Sequence, residues 1–282
     1  MPPSTMNKIL LALPPPVLQH AANLISFYFQ HVRPYQGPIL KRIRRIILVI
    51  FLLNFKSLPG VFHAKMGLRI AAVQLYSLRH GKEFRIKPTD TSIVRERVWV
   101  DDLDLNFHFS NSSYGKNCDY ARIKYVTSLF GPSVLPLNPT RKIGFALGGN
   151  QFWFKKEISL FQSFEIRTRL LAWNQKWFVI EHRMYTPSSG KGEKLCAVGI
   201  SKFVLKHTKG SLKNKTIPFL EALEMVGHDV KELRALEAKS DGGSVILWPK
   251  DQLEFKSYDG WTNRGAAVGN ALELCEQMLS QP

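Results

Sequence analysis

The segment Trp99–Tyr125 reads WVDDLDLNFHFSNSSYGKNCDYARIKY and joins a short strand pattern to a long helical pattern. A carboxylate, an amide and an imidazole lie within five residues of one another just before the predicted helix, at Asp104, Asn106 and His108. A carboxylate beside the positive end of a helix can act as a general base or as a nucleophile. The segment therefore predicts a reactive site at the start of a helix.

The helical pattern runs from Asn111 to Gly131. Ser110 or Asn111 can cap its N-terminus by accepting a backbone hydrogen bond, and Gly131 followed by Pro132 ends the pattern. Apolar or small residues recur at helical spacing at Tyr114, Cys118, Ala121 and Tyr125. This spacing predicts one long helix with a buried face.

Short β patterns separated by turn residues are typical of the chain after Glu83. The predicted strands are 84–87, 96–100, 142–146, 151–158, 164–173, 176–185, 195–206 and 245–248. Consecutive strands at this spacing form an antiparallel meander, and one long helix wrapped by such a sheet is a two-layer α+β domain. Further helices are predicted at 17–32, 61–78, 219–238 and 266–279, as N- and C-terminal extensions of that domain.

The charge balance restricts the partners. The chain has 282 residues, 39 Lys and Arg against 22 Asp and Glu, a net charge of +17 and a pI near 9.9. This excess indicates an anionic partner, for which nucleic acid, a membrane surface and a phosphorylated thioester carrier all qualify. The three cysteines, Cys118, Cys196 and Cys275, form no CxxC pair, which argues against a disulfide scaffold or a zinc site and favours a reducing compartment.

The N-terminal part carries no acidic residue before Glu83 and contains KRIRRIILVIFLLNF, residues 41–55. Its apolar run is too short to span a bilayer. The pattern is typical of an interfacial helix with its basic residues at the lipid headgroups, and a helix packed on the main domain is the alternative. An acid-free, Arg-bearing N-terminus is also found in mitochondrial presequences, although Pro14–Pro16 would interrupt such a helix.

The central segment resembles a known motif. Acyl-ACP thioesterases and 4-hydroxybenzoyl-CoA thioesterases, which have the hotdog fold, carry the pattern D-x-D-x-N-x-H-x-N-N-x-x-Y. The residues in matching positions are Asp102, Asp104, Asn106, His108, Asn111 and Tyr114. Ser110 departs from the pattern, since the first Asn of the pair is usual there. KSLPG at residues 56–60 and WFVIEHRMY at 177–185 further resemble the thioesterase-superfamily-member-6-like proteins.

The resemblance implies a single hotdog domain at 81–210, between a basic helical extension at 1–80 and a helical extension at 211–282. It implies hydrolysis of an acyl-CoA or acyl-carrier-protein thioester without metal or organic cofactor, and fungal relatives suggest lipopeptide, polyketide or other secondary-metabolite biosynthesis. Asp104 would be the nucleophile or general base and Asn106 and His108 would assist it, with Asn111 and Tyr114 binding substrate. A homodimer is also implied. The N-terminal pattern, and not the resemblance, predicts a location in the cytoplasm or attached peripherally to an anionic intracellular membrane, with a mitochondrial location as the alternative.

Structural roles compete with this interpretation. Asp104 and Asn106 occur in turns as well as in active sites, His108 would also suit a core, and Asp101 and Asp102 favour a structural or solvated role. The aromatic and basic content is compatible with RNA binding, but no RNP-like motif occurs and the basic residues concentrate in the apolar N-terminal part, which favours a membrane over nucleic acid. No GxSxG motif marks an α/β-type serine hydrolase. The competing function is a non-catalytic acyl-binding or membrane-scaffold protein of the same fold.

Overall fold

The computed structural model describes residues 37–81, 85–135, 138–187, 192–240 and 244–248, the backbone of 254–256 and 268–270, and the isolated residues 19, 23, 26, 27, 30 and 279. Residues 1–55 and 56–282 form two compact units. No helix within the described ranges is both long enough and apolar enough to cross a bilayer. The predicted helix at 17–32 lies outside the described ranges, apart from isolated residues.

The first unit contains the amphipathic helix α1, Pro38–Leu53. Pro38 stands in its first turn, where a missing N–H costs nothing. None of its residues is buried. Apart from Leu40, its large apolar side chains are at least 39% exposed, at Ile39, Ile43, Ile46, Ile47, Leu48, Val49, Ile50, Phe51, Leu52 and Leu53. The unit therefore presents a row of isoleucine, leucine and phenylalanine side chains to the surroundings.

The second unit is built on an antiparallel sheet. Its main strands are β1 (Ser92–Arg97), β2 (Ile143–Phe154), β3 (Ser163–Trp173), β4 (Trp177–Pro187) and β5 (Glu193–His207). Their spatial order is β1-β3-β4-β5-β2, and the short strands β6 (Thr216–Ile217) and β7 (Val245–Ile246) pair with β5 and β3. A separate pair joins β8 (Glu254–Lys256) to β9 (Val268–Asn270). The predicted antiparallel α+β architecture is confirmed.

Helix α3, Asn111–Phe130, packs across this sheet as predicted. The Ser110 side chain caps it by accepting the Ser113 N–H at 3.2 Å, and Gly131 follows its end with a φ of +62°. Its face against the sheet is fully buried at Tyr125, Val126, Leu129 and Phe130. The apolar periodicity of the sequence thus corresponds to the core face of the helix.

Helix α2, Val61–His80, packs beside α3 in the same unit. The Phe62 and Tyr120 rings lie 5.4 Å apart. Lys65 forms an ion pair with Glu96 of β1 at 2.6 Å, and Arg69 pairs with the same carboxylate. A predicted helix at 61–78 is therefore confirmed, and it is attached to the sheet as well as to α3.

Glycines explain two differences from the predicted elements. The separate strands predicted at 142–146 and 151–158 are one strand, β2, with an irregularity between Leu147 and Gly149. At Gly148 an added Cβ would lie 2.6 Å from the Trp177 ring, so only glycine fits without a shift.

The single helix predicted at 219–238 is divided into α4 (Phe219–Met225) and α5 (Lys231–Ala238). Gly227, with a φ of +86°, lies in the break between them.

Two further secondary-structure predictions are wrong for the residues that the structure describes, and the bounds of a third change. Residues 85–87 form no strand, so the pattern at 84–87 was a wrong prediction for those residues. The predicted terminal helix at 266–279 lies largely outside the described residues, but Val268–Asn270 within it is a strand paired with Glu254–Lys256. At 96–100 the strand ends at Arg97 and a short 3-10 turn, Val100–Asp102, begins.

The outer face of the sheet is covered as well. Val179, Val198 and Ile200 there are fully buried in a cluster that includes Leu279. The Trp248 indole N–H donates to the Leu170 carbonyl at 2.7 Å, and Arg169 lies over the Trp248 ring. C-terminal residues therefore contribute to the second unit's core on the side away from α3.

Candidate active site

The loop 103–109 is a tight turn held by Asp104. Leu103 and Phe109 pair at its base as an isolated antiparallel bridge. The Asp104 Oδ1 accepts the backbone N–H groups of Asn106 at 2.8 Å and His108 at 3.1 Å, and the Asp104 N–H donates to the His108 carbonyl at 2.8 Å. These bonds use Oδ1, which leaves Oδ2 for water or substrate. Asp104 therefore has the turn role foreseen for it and keeps an oxygen for chemistry.

The loop is backbone-strained at its tip. Phe107 has a φ of +62°, an uncommon value for a large side chain. Its side chain is nevertheless 80% exposed, and that of Leu105 is 97% exposed. Strain of this kind persists only where surrounding structure imposes it, and it clusters at functional sites. Here the hydrogen bonds of Asp104 impose it.

The predicted site residues meet at one cavity of about 790 Å³. Its lining consists of Asp104, Asn106, His108, Phe109, Asn111, Tyr114, Phe154, Lys155, Lys156 and Glu157. Asp104, Asn106 and His108 are exposed on its wall rather than buried, so His108 is not a core histidine. The structure brings together the five motif residues to which the resemblance assigns a catalytic or binding role, while the sixth motif residue, Asp102, does not line the cavity.

The N-terminus of α3 opens toward this cavity, since Asn111 lines it. The Ser113 N–H is occupied by the Ser110 cap. The N–H groups of Asn111 and Ser112 come before the first intrahelical hydrogen bond and point out of the helix end. With the positive end of the helix dipole, they form a region that favours negative charge.

Tyr114 and two phenylalanines form the apolar wall of the cavity. The Tyr114 ring lies 4.4 Å from the Phe109 ring and 4.8 Å from the Phe154 ring, centroid to centroid. Tyr114 is 3% exposed, and burial raises the pKa of its phenol above the ordinary value. The phenol is therefore neutral at physiological pH and can act only as a hydrogen-bonding or packing group.

Three charged lining residues were not foreseen from the sequence. The three residues are Lys155, Lys156 and Glu157. They follow directly after the C-terminal end of β2 and line the cavity together with the loop 103–109. The His108 Nδ1 lies 3.4 Å from the Glu157 Oε1. Burial and the nearby Arg183 and Lys156 lower the pKa of Lys155. Only the fold places this segment beside the motif, because 47 or more residues separate it from His108 in sequence.

Asp119, Glu181 and His182 make structural contacts and do not line the cavity. Asp119 forms an ion pair with Arg122, three residues further along α3, at 2.5 Å. Glu181 and His182 face opposite sides of the sheet: Glu181 pairs with Arg169 at 2.6 Å, and His182 Nδ1 is 2.9 Å from the Thr168 hydroxyl. Neither Glu181 nor His182 lines the cavity. Burial and Arg122 hold the pKa of His182 well below its usual value, so this imidazole is neutral.

The geometry can support addition of water to an activated carbonyl. It offers a carboxylate oxygen, a group of N–H donors at a helix end, an imidazole and an apolar wall around one cavity. Among the described residues no group of three His, Cys, Asp or Glu side chains is arranged to hold a metal ion.

Comparison with known proteins defines the class. Residues 98–230 match the family model of the thioesterase-like superfamily. The match falls on the part of the second unit that contains the site and most of the helix-wrapping sheet, and the predicted resemblance to thioesterase-like proteins is confirmed.

Relatives extend the match beyond the domain. The chain is 27% identical over 252 residues to thioesterase poxG of Penicillium oxalicum, covering 75% of this chain and 79% of the relative. It is 25% identical over 290 residues to thioesterase lcsJ of Purpureocillium lilacinum, covering 83% and 92%. Protein THEM6 of Danio rerio is 29% identical over 98 residues, covering 35% of this chain and 47% of the relative.

Solved structures with a similar chain path include the 4-hydroxybenzoyl CoA thioesterase from Pseudomonas sp. strain CBS-3. Its sequence identity is 19% and its TM-score 0.39, over 48% of this chain and 98% of that chain. A dynemicin thioesterase has 15% identity and a TM-score of 0.40, over 49% and 97%.

Proposed function

We propose that this protein is a thioesterase that hydrolyses an acyl-CoA or acyl-carrier-protein thioester. The observation that carries the proposal is the convergence of Asp104, Asn106, His108, Asn111 and Tyr114 on one cavity at the N-terminus of α3. Relatives bearing the name thioesterase and aligned over three quarters or more of this chain support it.

In the proposed reaction, Asp104 Oδ2 acts on the thioester carbonyl. It either takes a proton from a water that attacks the carbonyl carbon, or attacks that carbon itself to form an anhydride that water then cleaves. The N–H groups of Asn111 and Ser112 donate to the oxyanion that forms. The C–S bond then breaks, the thiolate takes a proton, and the products are a carboxylic acid and a free thiol.

His108 and Asn106 assist this step. The Glu157 carboxylate beside the His108 Nδ1 orients the imidazole, so that the other ring nitrogen is directed to water or to the carbonyl. Asn106 lies on the same turn as Asp104 and contributes an amide to the cavity wall. We assign both residues to positioning the water and the thioester.

The substrate class follows from the cavity chemistry. An acyl group suits the wall of Phe109, Tyr114 and Phe154, and the ammonium groups of Lys155 and Lys156 suit the phosphates of a CoA or carrier phosphopantetheine arm. We place the reaction in secondary-metabolite biosynthesis, such as lipopeptide or polyketide assembly, and the fungal origin of the aligned thioesterases supports this placement.

Free-thiol release separates hydrolysis from simple binding. We expect the purified full-length protein to release thiol from at least one member of a panel of short-, medium- and long-chain and aromatic acyl-CoAs, and from matching acyl-carrier-protein thioesters. Turnover of only the latter would assign the carrier-protein substrate. Tight binding of acyl-CoA with no thiol release from any thioester would contradict the proposal and favour the acyl-binding scaffold.

We further propose a homodimer formed through β2. Within the described sheet β2 is an edge strand that pairs only with β5, and it is twelve residues long. Long open edges favour pairing with a second strand. The site lies at the end of this strand, because Phe154 lines the cavity.

The mass in solution tests the dimer. Light scattering should give about twice the 32.2 kDa chain mass, and Leu147→Arg, on the exposed middle of β2, should shift the mass toward the monomer. Leu212→Arg is the matched control, since the two leucines are 44% and 45% exposed. A wild-type protein that remains monomeric at micromolar concentration would contradict the proposal.

The membrane proposal rests on α1. Its exposed apolar side chains and the cations Lys41, Arg42, Arg44 and Arg45 fit the interface of an anionic bilayer. We propose peripheral attachment at the cytoplasmic face of an intracellular membrane, with mitochondrial targeting as the alternative location.

Liposome binding tests this attachment. The double variant Ile46→Asp/Ile50→Asp should weaken binding to anionic vesicles by about a hundredfold, since each buried isoleucine contributes at least about 1.5 kcal/mol. The control Leu212→Asp/Leu236→Asp adds the same charge at exposed leucines outside α1 and should bind like the wild type. Equal binding by both double variants would disprove the role of α1.

A further inference from the structure

The loop that carries the candidate catalytic residues rests on a buried carboxylate, Asp102. Its side chain is 0% exposed and does not line the cavity. The Lys56 Nζ lies 2.5 Å from its Oδ2, and the Lys116 Nζ lies 2.8 Å from its Oδ1. A buried carboxylate is costly unless paired, and here two ammonium groups from distant parts of the chain pair with it.

The backbone of Asp102 connects this ion cluster to both ends of the loop. Its Oδ2 accepts the Trp99 N–H at 3.0 Å, and its carbonyl accepts the Ser110 N–H at 2.9 Å. Ser110 is the cap of α3, and the Leu103–Phe109 bridge lies directly between these contacts. The position of Asp102 therefore fixes where the loop starts, where it returns and where the helix begins.

Lys56 and Ser57, in the chain segment before α2, contact the residues from which the loop 103–109 starts. The Lys56 Nζ also donates to the Arg97 carbonyl at 2.5 Å, at the end of β1. The next residue, Ser57, donates its backbone N–H to the Asp101 Oδ2 at 2.6 Å. Two consecutive residues of one segment thus bind two consecutive carboxylates of the other, across more than 40 positions in sequence.

We propose that Lys56 is a positioning residue for catalysis: its ammonium, through Asp102, sets the geometry of the loop that presents Asp104 to the thioester. The expected effect of Lys56 on kcat/KM rests on the proposed function. The expected effect of Lys56 on the geometry of the loop rests on the contacts alone. Lys56 touches neither the cavity nor the reacting atoms, so its effect passes through Asp102.

The electrostatics give this role a pH signature. Burial raises the pKa of the Asp102 carboxyl, but the hydrogen bonds from Lys116 and Lys56 outweigh burial and leave the pKa below its usual value. The other titratable groups close to Asp102 are its neighbour Asp101 and Tyr120 of α3. Without the Lys56 ammonium, the Asp102 pKa rises. Protonation then weakens the bond from the Trp99 N–H as pH falls.

The test compares full-length Lys56→Met with Lys56→Arg and Lys65→Met. Lys65 is a matched control because it also follows α1 and pairs with a largely buried carboxylate, Glu96, at 2.6 Å, rather than with Asp101 or Asp102 at the base of the loop. Hydrogen exchange of the peptide 103–110 and the pH profile of kcat/KM for an acyl-CoA that the wild type hydrolyses are measured for each protein. The loss of a hydrogen bond to a charged group predicts about tenfold faster exchange and about tenfold lower kcat/KM for Lys56→Met.

The acid limb of the Lys56→Met profile should also move to higher pH. Lys56→Arg should restore exchange, rate and profile, and Lys65→Met should leave all three unchanged. The inference would be overturned if the peptide 103–110 exchanged hydrogen in Lys56→Met at the wild-type rate. It would also be overturned if Lys56→Met and Lys65→Met had equal effects. A wild type that hydrolyses no thioester would refute the proposed function instead, and the exchange data would still decide whether Lys56 holds the loop.

Discussion

Replacing Asp104 by asparagine is expected to lower kcat/KM for thioester hydrolysis by about 10²- to 10⁴-fold, the usual contribution of a general base. Asparagine keeps an oxygen that can accept the N–H groups of Asn106 and His108, so the loop retains its turn. The change therefore removes the basic or nucleophilic oxygen without removing the turn. Steady-state thiol release together with thermal unfolding measures the two effects separately, and the unfolding temperature should be nearly unchanged.

Asp229→Asn is the matched control for this substitution. Like Asp104, Asp229 is exposed and accepts a backbone N–H two residues ahead, that of Lys231, at 3.0 Å. It does not line the cavity. Its variant should hydrolyse at the wild-type rate. A similar rate for Asp104→Asn and Asp229→Asn would show that Asp104 is a turn residue only.

Replacing Glu181 by alanine should destabilise the second unit by about 3–5 kcal/mol, the usual cost of breaking a buried ion pair. Glu181 is 0% exposed and lies between Arg169 at 2.6 Å and Arg183 at 3.0 Å. Without the carboxylate, two largely buried guanidinium groups remain side by side. Urea unfolding followed by tryptophan fluorescence measures the loss.

Glu165→Ala is the matched control on the same sheet. Glu165 also lies between two arginines, Arg95 at 2.7 Å and Arg167 at 3.1 Å, but its side chain is 24% exposed. Water screens such a pair, so the expected loss is at most about 1 kcal/mol. Equal losses for Glu165→Ala and Glu181→Ala would contradict the assignment of burial as the cause of the difference.

The sequence predicted the parts of the fold that depend on local periodicity. Helix α3 begins at Asn111 and ends at Phe130, within a residue of the predicted bounds, because its caps and apolar spacing lie in the same short segment. Strands β3, β4 and β5 were also predicted from local signals, and the predicted segments pair with one another in the sheet, with one register shift in each pairing. The motif residues reach one cavity because a single turn carries Asp104, Asn106 and His108.

The missed features depend on contacts between distant segments. Glu157 and the lysines at the cavity follow a strand whose end meets the loop only in the folded domain. The structural role expected for Asp102 is correct, but its partner Lys56, 46 residues away in sequence, was not foreseen. Likewise, Val268–Asn270 becomes a strand by pairing with Glu254–Lys256. Helical periodicity alone does not reveal such pairings. The break between α4 and α5 has a local cause instead, the left-handed backbone of Gly227.

The most direct test of the central claim is a crystal structure of Asp104→Asn with a bound acyl-CoA that the wild type hydrolyses. The proposed mechanism predicts the thioester carbonyl carbon about 3–3.5 Å from the residue-104 side chain. It also predicts the carbonyl oxygen about 2.7–3.1 Å from the N–H of Asn111 or Ser112. A thioester bound away from the N-terminus of α3, with its carbonyl out of reach of residue 104, would contradict the mechanism.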